Sequence, residues 1–347
     1  MKECVALVQA GFDVNYVVPG ATSTTVQNVK IHGINKIEGS RFDRMTKTVK
    51  AVYRKALEID AQVYHFHDPE LIPVGLKLKN KGKRVIYDVH EDVPRQILNK
   101  SWLPFKSQKL ISKLFEAYEN RASKKFDLVV TATPFIRDRF LRLGANTIDV
   151  NNFPILDELK MEAVDWKSKQ NAVCYVGGIT KFRGIEEMVQ AMGMTKDLTL
   201  LLAGTFTSNA ERETVSKMNG WDTVHELGFL DRTGVREVYR QSIAGLVVLH
   251  PRINYIDALP VKMFEYMAAG IPVIASNFPL WKSIIETNDC GICVNPEQPE
   301  AIAEAINYLY DNPDVAERMG RNGRKAVESE YNWEQESRKL IEAYKIL

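Results

Sequence analysis

The stretch His250-Pro251-Arg252-Ile253-Asn254-Tyr255-Ile256-Asp257-Ala258-Leu259-Pro260-Val261-Lys262-Met263-Phe264-Glu265-Tyr266-Met267-Ala268-Ala269-Gly270-Ile271-Pro272-Val273-Ile274-Ala275-Ser276 joins a strand end to a loop, a helix start and a further strand. Two acidic residues, Asp257 and Glu265, stand with seven residues between them. Pro260 falls where a first helical turn begins, so neighbouring backbone N–H groups lack intrahelical partners and the helix start is an anion site. A nucleoside diphosphate fits it physically. Its phosphate oxygens would lie at the helix start, a carboxylate deeper in the helix would meet ribose hydroxyls, and a carboxylate ahead of it would meet a sugar.

The chain of 347 residues exceeds what one hydrophobic core supports, which predicts two domains. With 45% apolar and 26% charged residues it is an ordinary globular composition, not a disordered one. No apolar run approaches the roughly 18 residues of a membrane-spanning helix, and Met1 to Ala10 lacks the basic and apolar blocks of a signal peptide. A cytoplasmic location is the expectation. Cys4, Cys174, Cys290 and Cys293 are too few and scattered for a disulfide framework. Cys290 and Cys293 match C-x-x-C, yet no second pair completes a zinc site; they read as buried strand cysteines, with redox chemistry the alternative.

Net charge is +2, but residues 1–150 hold 25 Lys and Arg against 16 Asp and Glu, leaving the remainder acidic. The basic excess gathers in residues 77–84 and 100–125. In the latter, Trp102, Leu103, Phe105, Leu110, Ile111, Leu114 and Phe115 interleave with Lys106, Lys109 and Lys113. This reads as a basic amphipathic helix suited to an anionic membrane surface, or as a helix packing its apolar side on a sheet with its lysines in water. No nucleic-acid partner is expected.

Short Val/Ile/Leu runs alternate with helix-patterned ones. Strands are expected at 12–18, 29–34, 63–67, 85–90, 128–132 and 148–152, then at 172–177, 198–203, 224–229, 245–250, 272–276 and 291–294. Near-continuous apolar strands between helices mean parallel sheets covered on both faces, hence α/β architecture with two doubly wound, Rossmann-like domains. The expected boundaries are 1–153 and 171–330, a polar, structureless linker over 154–170, and a final segment, 331–347, whose helix from Trp333 to Ile346 crosses back to the first domain. Met1 to Ala10 reads as a helix, although a doubly wound domain normally opens on its central strand. The first strand is therefore expected to be missing, its start misassigned, or its gap filled in an unusual way.

Chemistry-bearing residues fall at strand ends. Tyr64-His65-Phe66-His67-Asp68 and Tyr87-Asp88-Val89-His90-Glu91-Asp92 both finish strands. His67, Asp68 and His90 are expected to line a cleft and to hydrogen-bond sugar hydroxyls or stabilise a cationic transition state. A metal site is the alternative, weakened because strand alternation points His65 and His67 to one face with no fixed third ligand; a packing role is another. Tyr175-Val176-Gly177-Gly178-Ile179-Thr180-Lys181-Phe182-Arg183-Gly184 follows a strand and opens a helix, with paired glycines for close backbone approach and Lys181 and Arg183 on the same rim. It is similar to a phosphate loop without being a Walker A or G-x-G-x-x-G motif. Leu227-Gly228-Phe229-Leu230 ends another strand and either holds a base or makes a plain strand-to-helix turn.

These motifs resemble those of the family-four retaining glycosyltransferases, whose GT-B architecture places two Rossmann-like domains face to face. The resemblance covers nearly the whole chain and is most specific over 177–191 and 246–295. The family's E-x7-E motif appears as Asp257-x7-Glu265. The resemblance implies that Glu265 binds the nucleotide ribose, that Ala258, Leu259, Pro260 and Val261 offer backbone contacts to diphosphate and sugar, and that Asp257 touches donor-sugar hydroxyls. The family's phosphate-clamping Arg and Lys fall on Gly178 and Arg183, so Lys181 or Lys262 must replace one charge. It further implies that Gly177, Gly178, Gly228, Phe229 and Leu230 serve the donor, that His90 lies near the donor sugar, and that His67 and Asp68 lie toward the acceptor. With no Asp-x-Asp motif and no resident cofactor, the expected reaction is a metal-independent transfer with retention. The donor is a UDP-sugar first and a GDP-sugar second, and the acceptor is a glycan or lipid-linked glycan in bacterial polysaccharide assembly at the inner membrane face. A nucleotide-sugar 2-epimerase of the same fold and a non-catalytic nucleotide-sugar binding or scaffold protein are the alternatives.

Overall fold

The computed structural model describes residues 1–36, 43–98, 105–159 and 166–347. The chain divides into two units, Met1–Asn151 with Glu336–Leu347, and Asn152–Gln335.

The second unit holds six strands: β8 (Ala172–Val176), β9 (Thr199–Ala203), β10 (Val224–Gly228), β11 (Ala244–Val247), β12 (Val273–Ser276) and β13 (Gly291–Val294). All pair in parallel in the order β10-β9-β8-β11-β12-β13, the doubly wound order that reverses direction between β8 and β11. Strand alternation explains the unbroken apolar runs. Val173, Tyr175, Leu200, Leu202, Leu246 and Ile274 feed one core layer, while Cys174, Leu201, Val247, Val273 and Ala275 feed the other. Buried Cys174 and Cys290 thiols are pushed up to about 12 and half-buried Cys293 to about 11, so none is a ready thiolate.

The first unit carries β1 (Asn15–Pro19), β2 (Thr24–Val26) and β3 (Val29–Ile34) in one sheet, and β4 (Val63–Phe66), β5 (Arg84–Val89), β6 (Leu128–Thr131) and β7 (Thr147–Asp149) in another. The four-stranded sheet is parallel in sequence order. In the smaller sheet β2 runs antiparallel to β3, which departs from the expected all-parallel arrangement. Gln27 and Asn28, with φ of 49° and 63°, close a two-residue hairpin; Thr24-Thr25-Val26 is too short and polar to stand out as a strand beforehand. Among the described residues no ladder joins the two sheets and no strand precedes the helix Lys2–Gln9.

The stretch 154–170 is not a free linker where it is described. Leu156 and Trp166 pack on the core layers of the second unit, and Lys169 Nζ donates to the Ser242 carbonyl at 2.6 Å. Residues 160–165 lie outside the described residues. The last helix, Trp333–Ile346, begins in the second unit and continues in the first, where Glu336 Oε2 accepts the Asn151 N–H at 2.8 Å. No described helix is long and apolar enough to cross a membrane.

Candidate active site

Open parallel sheets bind ligands outside the carboxyl ends of their strands where the strand order reverses. In the second unit β8 and β9 are each followed by, and β10 ends on, a glycine with positive φ: Gly177 (136°), Gly204 (144°) and Gly228 (66°). Their backbones are stitched together, Gly177 N–H donating to the Ala203 carbonyl at 2.9 Å and Gly204 N–H to the Gly228 carbonyl at 2.7 Å. A Cβ at Gly204 would fall 1.8 Å from the Gly177 oxygen, so the pair of strand ends approaches as only glycine permits.

Two cations lie over this backbone. Arg183 Nη1 donates to the Gly178 carbonyl at 3.1 Å, and Tyr175 OH donates to the same oxygen at 2.7 Å. Lys262 Nζ sits 3.6 Å from the Tyr175 ring centroid and 3.0 Å from where a Cβ at Gly177 would be. It is buried and has no hydrogen-bond partner among the described residues. Burial holds its ammonium pKa well below the ordinary lysine range, and the Arg183 charge lowers it further. Lys181, in contrast, is exposed and paired with Glu186 at 3.0 Å. Of the two lysines expected to replace the charge lost at Gly178, Lys262 is the one at the loop.

The helix Val261–Ala268 starts one residue later than expected, with Pro260 as its N-cap. Met263 N–H reaches the Pro260 carbonyl at 3.0 Å. Ala258 is committed to internal bonding: its N–H donates to the Tyr255 carbonyl at 3.1 Å and its carbonyl accepts from Trp281 Nε1 at 2.6 Å. Leu259 packs against the core, and Asp257 stands partly buried in the turn ahead of the helix. Glu265 is only 7% exposed; Oε1 accepts from Arg232 Nη1 at 2.6 Å and Oε2 from Tyr239 OH at 3.1 Å. A carboxylate accepts about four hydrogen bonds, so these two orient Glu265 without saturating it. After β10, Phe229 is 82% exposed while Leu230 packs on the core, and Asp231 caps the helix Arg232–Gln241 through the Gly234 N–H at 2.8 Å. This is a strand-to-helix turn that also presents a bare aromatic face.

In the first unit, adjacent β4 and β5 bring three histidines around one buried carboxylate. Asp88 Oδ2 lies 3.2 Å from His65 Nε2, 3.0 Å from His67 Nδ1 and 3.4 Å from His90 Nε2. The rings stack, His65 on His67 at 4.9 Å and His67 on His90 at 4.8 Å. His65 Nδ1 pairs with Tyr344 OH at 2.8 Å. Asp68 is exposed at the start of the turn Pro69–Leu71. The expectation that alternation leaves no further ligand is wrong here, because Glu3, His65, His67 and Asp88 place one donor atom each within 4.8 Å of one another. The spacing admits a divalent ion, yet the three imidazoles already satisfy the Asp88 oxygen.

The hydrogen bond to Asp88 raises His90 to about 8 against the pull of burial. Burial lowers His65, but Asp88 and Glu3 outweigh it and its net direction is upward. Burial raises Asp88, and its three histidine partners more than reverse this, holding it well below the usual carboxylate range. Glu3, Glu91 and Tyr344 are the other titratable groups facing the cluster. A histidine raised on folding contributes stability that is complete below its unfolded pKa of about 6.5 and lost as pH rises through about 8. The melting temperature is therefore expected to fall between pH 6.5 and 8.5, and to fall less steeply in Asp88→Asn. Parallel pH profiles of the two proteins would contradict this linkage.

Arg232, Tyr239, Gly204 and Tyr344 were not singled out by sequence. Gly204 alone carried a local signal, a glycine closing the apolar run Leu200-Leu201-Leu202-Ala203. The others join the site only through tertiary contact.

A parallel sheet whose order reverses beside a glycine and cation cradle defines a doubly wound α/β unit. Residues 157–326 match the family profile described as glycosyl transferases group 1, and residues 3–151 that described as glycosyltransferase family 4. The chain is 25% identical over 279 residues to the D-rhamnosyltransferase WbpZ of Pseudomonas aeruginosa, covering 77% of this chain and 68% of that one. Its fold matches sucrose-phosphate synthase from Thermosynechococcus elongatus with a TM-score of 0.80 at 20% identity, over 99% of this chain and 91% of the other. Anabaena Alr3699/HepE, solved in complex with UDP, matches with a TM-score of 0.71 at 13% identity, over 92% and 87%. The chain belongs to the family-four glycosyltransferases of GT-B fold.

Proposed function

We propose that this protein is a retaining hexosyltransferase that moves a sugar from a nucleotide-sugar, a UDP-sugar first and a GDP-sugar second, to a glycan or lipid-linked glycan in cell-surface polysaccharide synthesis. The observation that carries the reading is the buried, unpartnered Lys262 ammonium beside Arg183, over the Gly177-Gly178 backbone where the strand order reverses. A buried amine without a hydrogen-bond partner is costly to charge unless an anion completes it, and a diphosphate is such an anion. UDP held by a solved structure of the same fold supports uridine as the first choice.

In this reading the diphosphate lies over Gly177, Gly178, Arg183 and Lys262 and meets the helix start at Val261. The ribose hydroxyls share Glu265, the base lies on Phe229 beside Gly228, and Asp257 takes donor-sugar hydroxyls. His90, His67 and Asp68, which belong to the first unit, hydrogen-bond sugar hydroxyls. The C1–O bond to the diphosphate breaks as the acceptor oxygen bonds to C1 on the same face, and the acceptor proton passes to a diphosphate oxygen. The two cations and the helix start stabilise the departing charge without a metal. The protein would act in the cytoplasm, peripheral to the inner face of an anionic membrane.

Thermal-shift titration with UDP, GDP and their sugars tests this, since a ligand of the folded state alone must raise the melting temperature. UDP is expected to raise it most; no shift with any of them would overturn the reading. Product analysis with UDP-GlcNAc and no acceptor separates transfer from 2-epimerisation. Lys262→Met is expected to weaken UDP at least about tenfold while leaving the free protein as stable or more so, because it removes a buried amine that has no hydrogen-bond partner. Undiminished UDP affinity in that variant would remove Lys262 from the site.

A further inference from the structure

The helix Phe105–Ser123 is mounted with its polar side inward. Gln108, Ser112, Glu119 and Ser123 are buried. Ser112 Oγ donates to the Pro94 carbonyl at 2.7 Å, Tyr87 OH donates to Glu119 Oε1 at 2.7 Å, and Arg139 pairs with Glu119 Oε2. These bonds fix the helix's rotation about its own axis. What faces outward is apolar: Leu110 is 60% exposed, Leu114 63%, and Ile111 and Tyr118 are exposed beside them. Their spacing puts them in one stripe. Lys109, Lys113, Arg121, Lys124 and Lys125 are all exposed around it. The apolar residues of the helix are thus divided between the two expected arrangements: Phe115 and Ala122 pack on the core, while Leu110, Ile111, Leu114 and Tyr118 face outward. Trp102 and Leu103 lie outside the described residues, and the side chains of Phe105 and Lys106 are likewise not described.

We propose that this face docks on an anionic lipid bilayer, with Leu110, Ile111, Leu114 and Tyr118 at the acyl boundary and the surrounding cations at headgroup phosphates. The inference rests on the acceptor reading above and names the surface where that acceptor is met. Charge complementarity selects the occupant. Large apolar side chains held in water call for cover, and the cationic rim, within a first half carrying nine excess positive charges, favours an anionic partner. A second copy of the chain would bring the same lysines together and repel.

Co-sedimentation with vesicles of phosphatidylcholine alone or with phosphatidylglycerol tests it. The protein is expected to bind the phosphatidylglycerol vesicles at least about tenfold more tightly than neutral ones, with the difference shrinking at high salt. Leu110→Ser with Leu114→Ser should lose about tenfold or more of that binding with an unchanged melting temperature and UDP shift, and Lys109→Glu with Lys113→Glu should lose the anionic preference. Failure of the wild type to bind, equal binding by the serine variant, or concentration-dependent self-association abolished by the serine variant would each overturn the proposal. UDP thermal shift in the same preparations reads the donor site separately, so loss of one result leaves the other standing.

Discussion

Arg183→Ala is expected to lower kcat/KM for sugar transfer at least tenfold, with Arg183→Lys retaining part of the activity. The guanidinium spends one N–H on the Gly178 carbonyl, and its charge stands 3.0 Å from the Cβ position of that glycine, close enough for its other donors to reach a phosphate on the same backbone. A charge-assisted hydrogen bond to such an oxygen is worth about 1.5–3 kcal/mol, which converts to roughly 10- to 150-fold in rate. Lysine keeps the charge but loses the fork geometry. Steady-state transfer assays and donor hydrolysis are the measurements. Full activity in the alanine variant would refute the assignment of the cradle to the leaving diphosphate.

Gly204→Ala is expected to be the most destabilising single methyl in the second unit, at more than about 3 kcal/mol, and to abolish the UDP shift. Its φ of 144° lies where side chains are strained, and the added carbon would overlap the Gly177 oxygen at 1.8 Å. Gly177 would have to move, and the glycine and cation cradle with it. Gly144→Ala is the control: its φ is 76°, nothing lies within 4 Å of the new carbon, and about 1 kcal/mol of backbone strain is the whole cost. Urea unfolding of both separates strain from collision. Equal losses would mean the strand ends are less tightly stitched than the structure shows.

The doubly wound fold was legible because the inner strands β8, β9, β11 and β12 are buried on both faces, so Val173 to Val176 and Leu200 to Ala203 read as unbroken apolar runs. The hairpin strand Thr24–Val26 was not, since two threonines and one valine carry too little pattern. The glycine and cation cradle was legible in part. Gly177, Gly178 and Arg183 are contiguous in sequence, but whether Lys181 or Lys262 joins them depends on how the separate helix Val261–Ala268 packs. Glu265 was found from its spacing to Asp257, whereas Arg232 and Tyr239, which set its orientation, come from another helix. The helix Phe105–Ser123 shows the limit most plainly. Its periodicity reveals two unlike faces, but the inward one is decided by Tyr87 and Arg139, which hold Glu119 from outside the helix.

The Lys262 amine beside Gly177 has a calorimetric corollary. An amine whose proton is held loosely in the empty cradle gains basicity once an anion settles beside it, so association and hydron uptake form one coupled equilibrium. The heat released on mixing with UDP then carries the ionisation enthalpy of whatever buffer donates that hydron. Titrations in phosphate and in Tris should consequently differ, by an amount that reads out the protonation state of a single side chain.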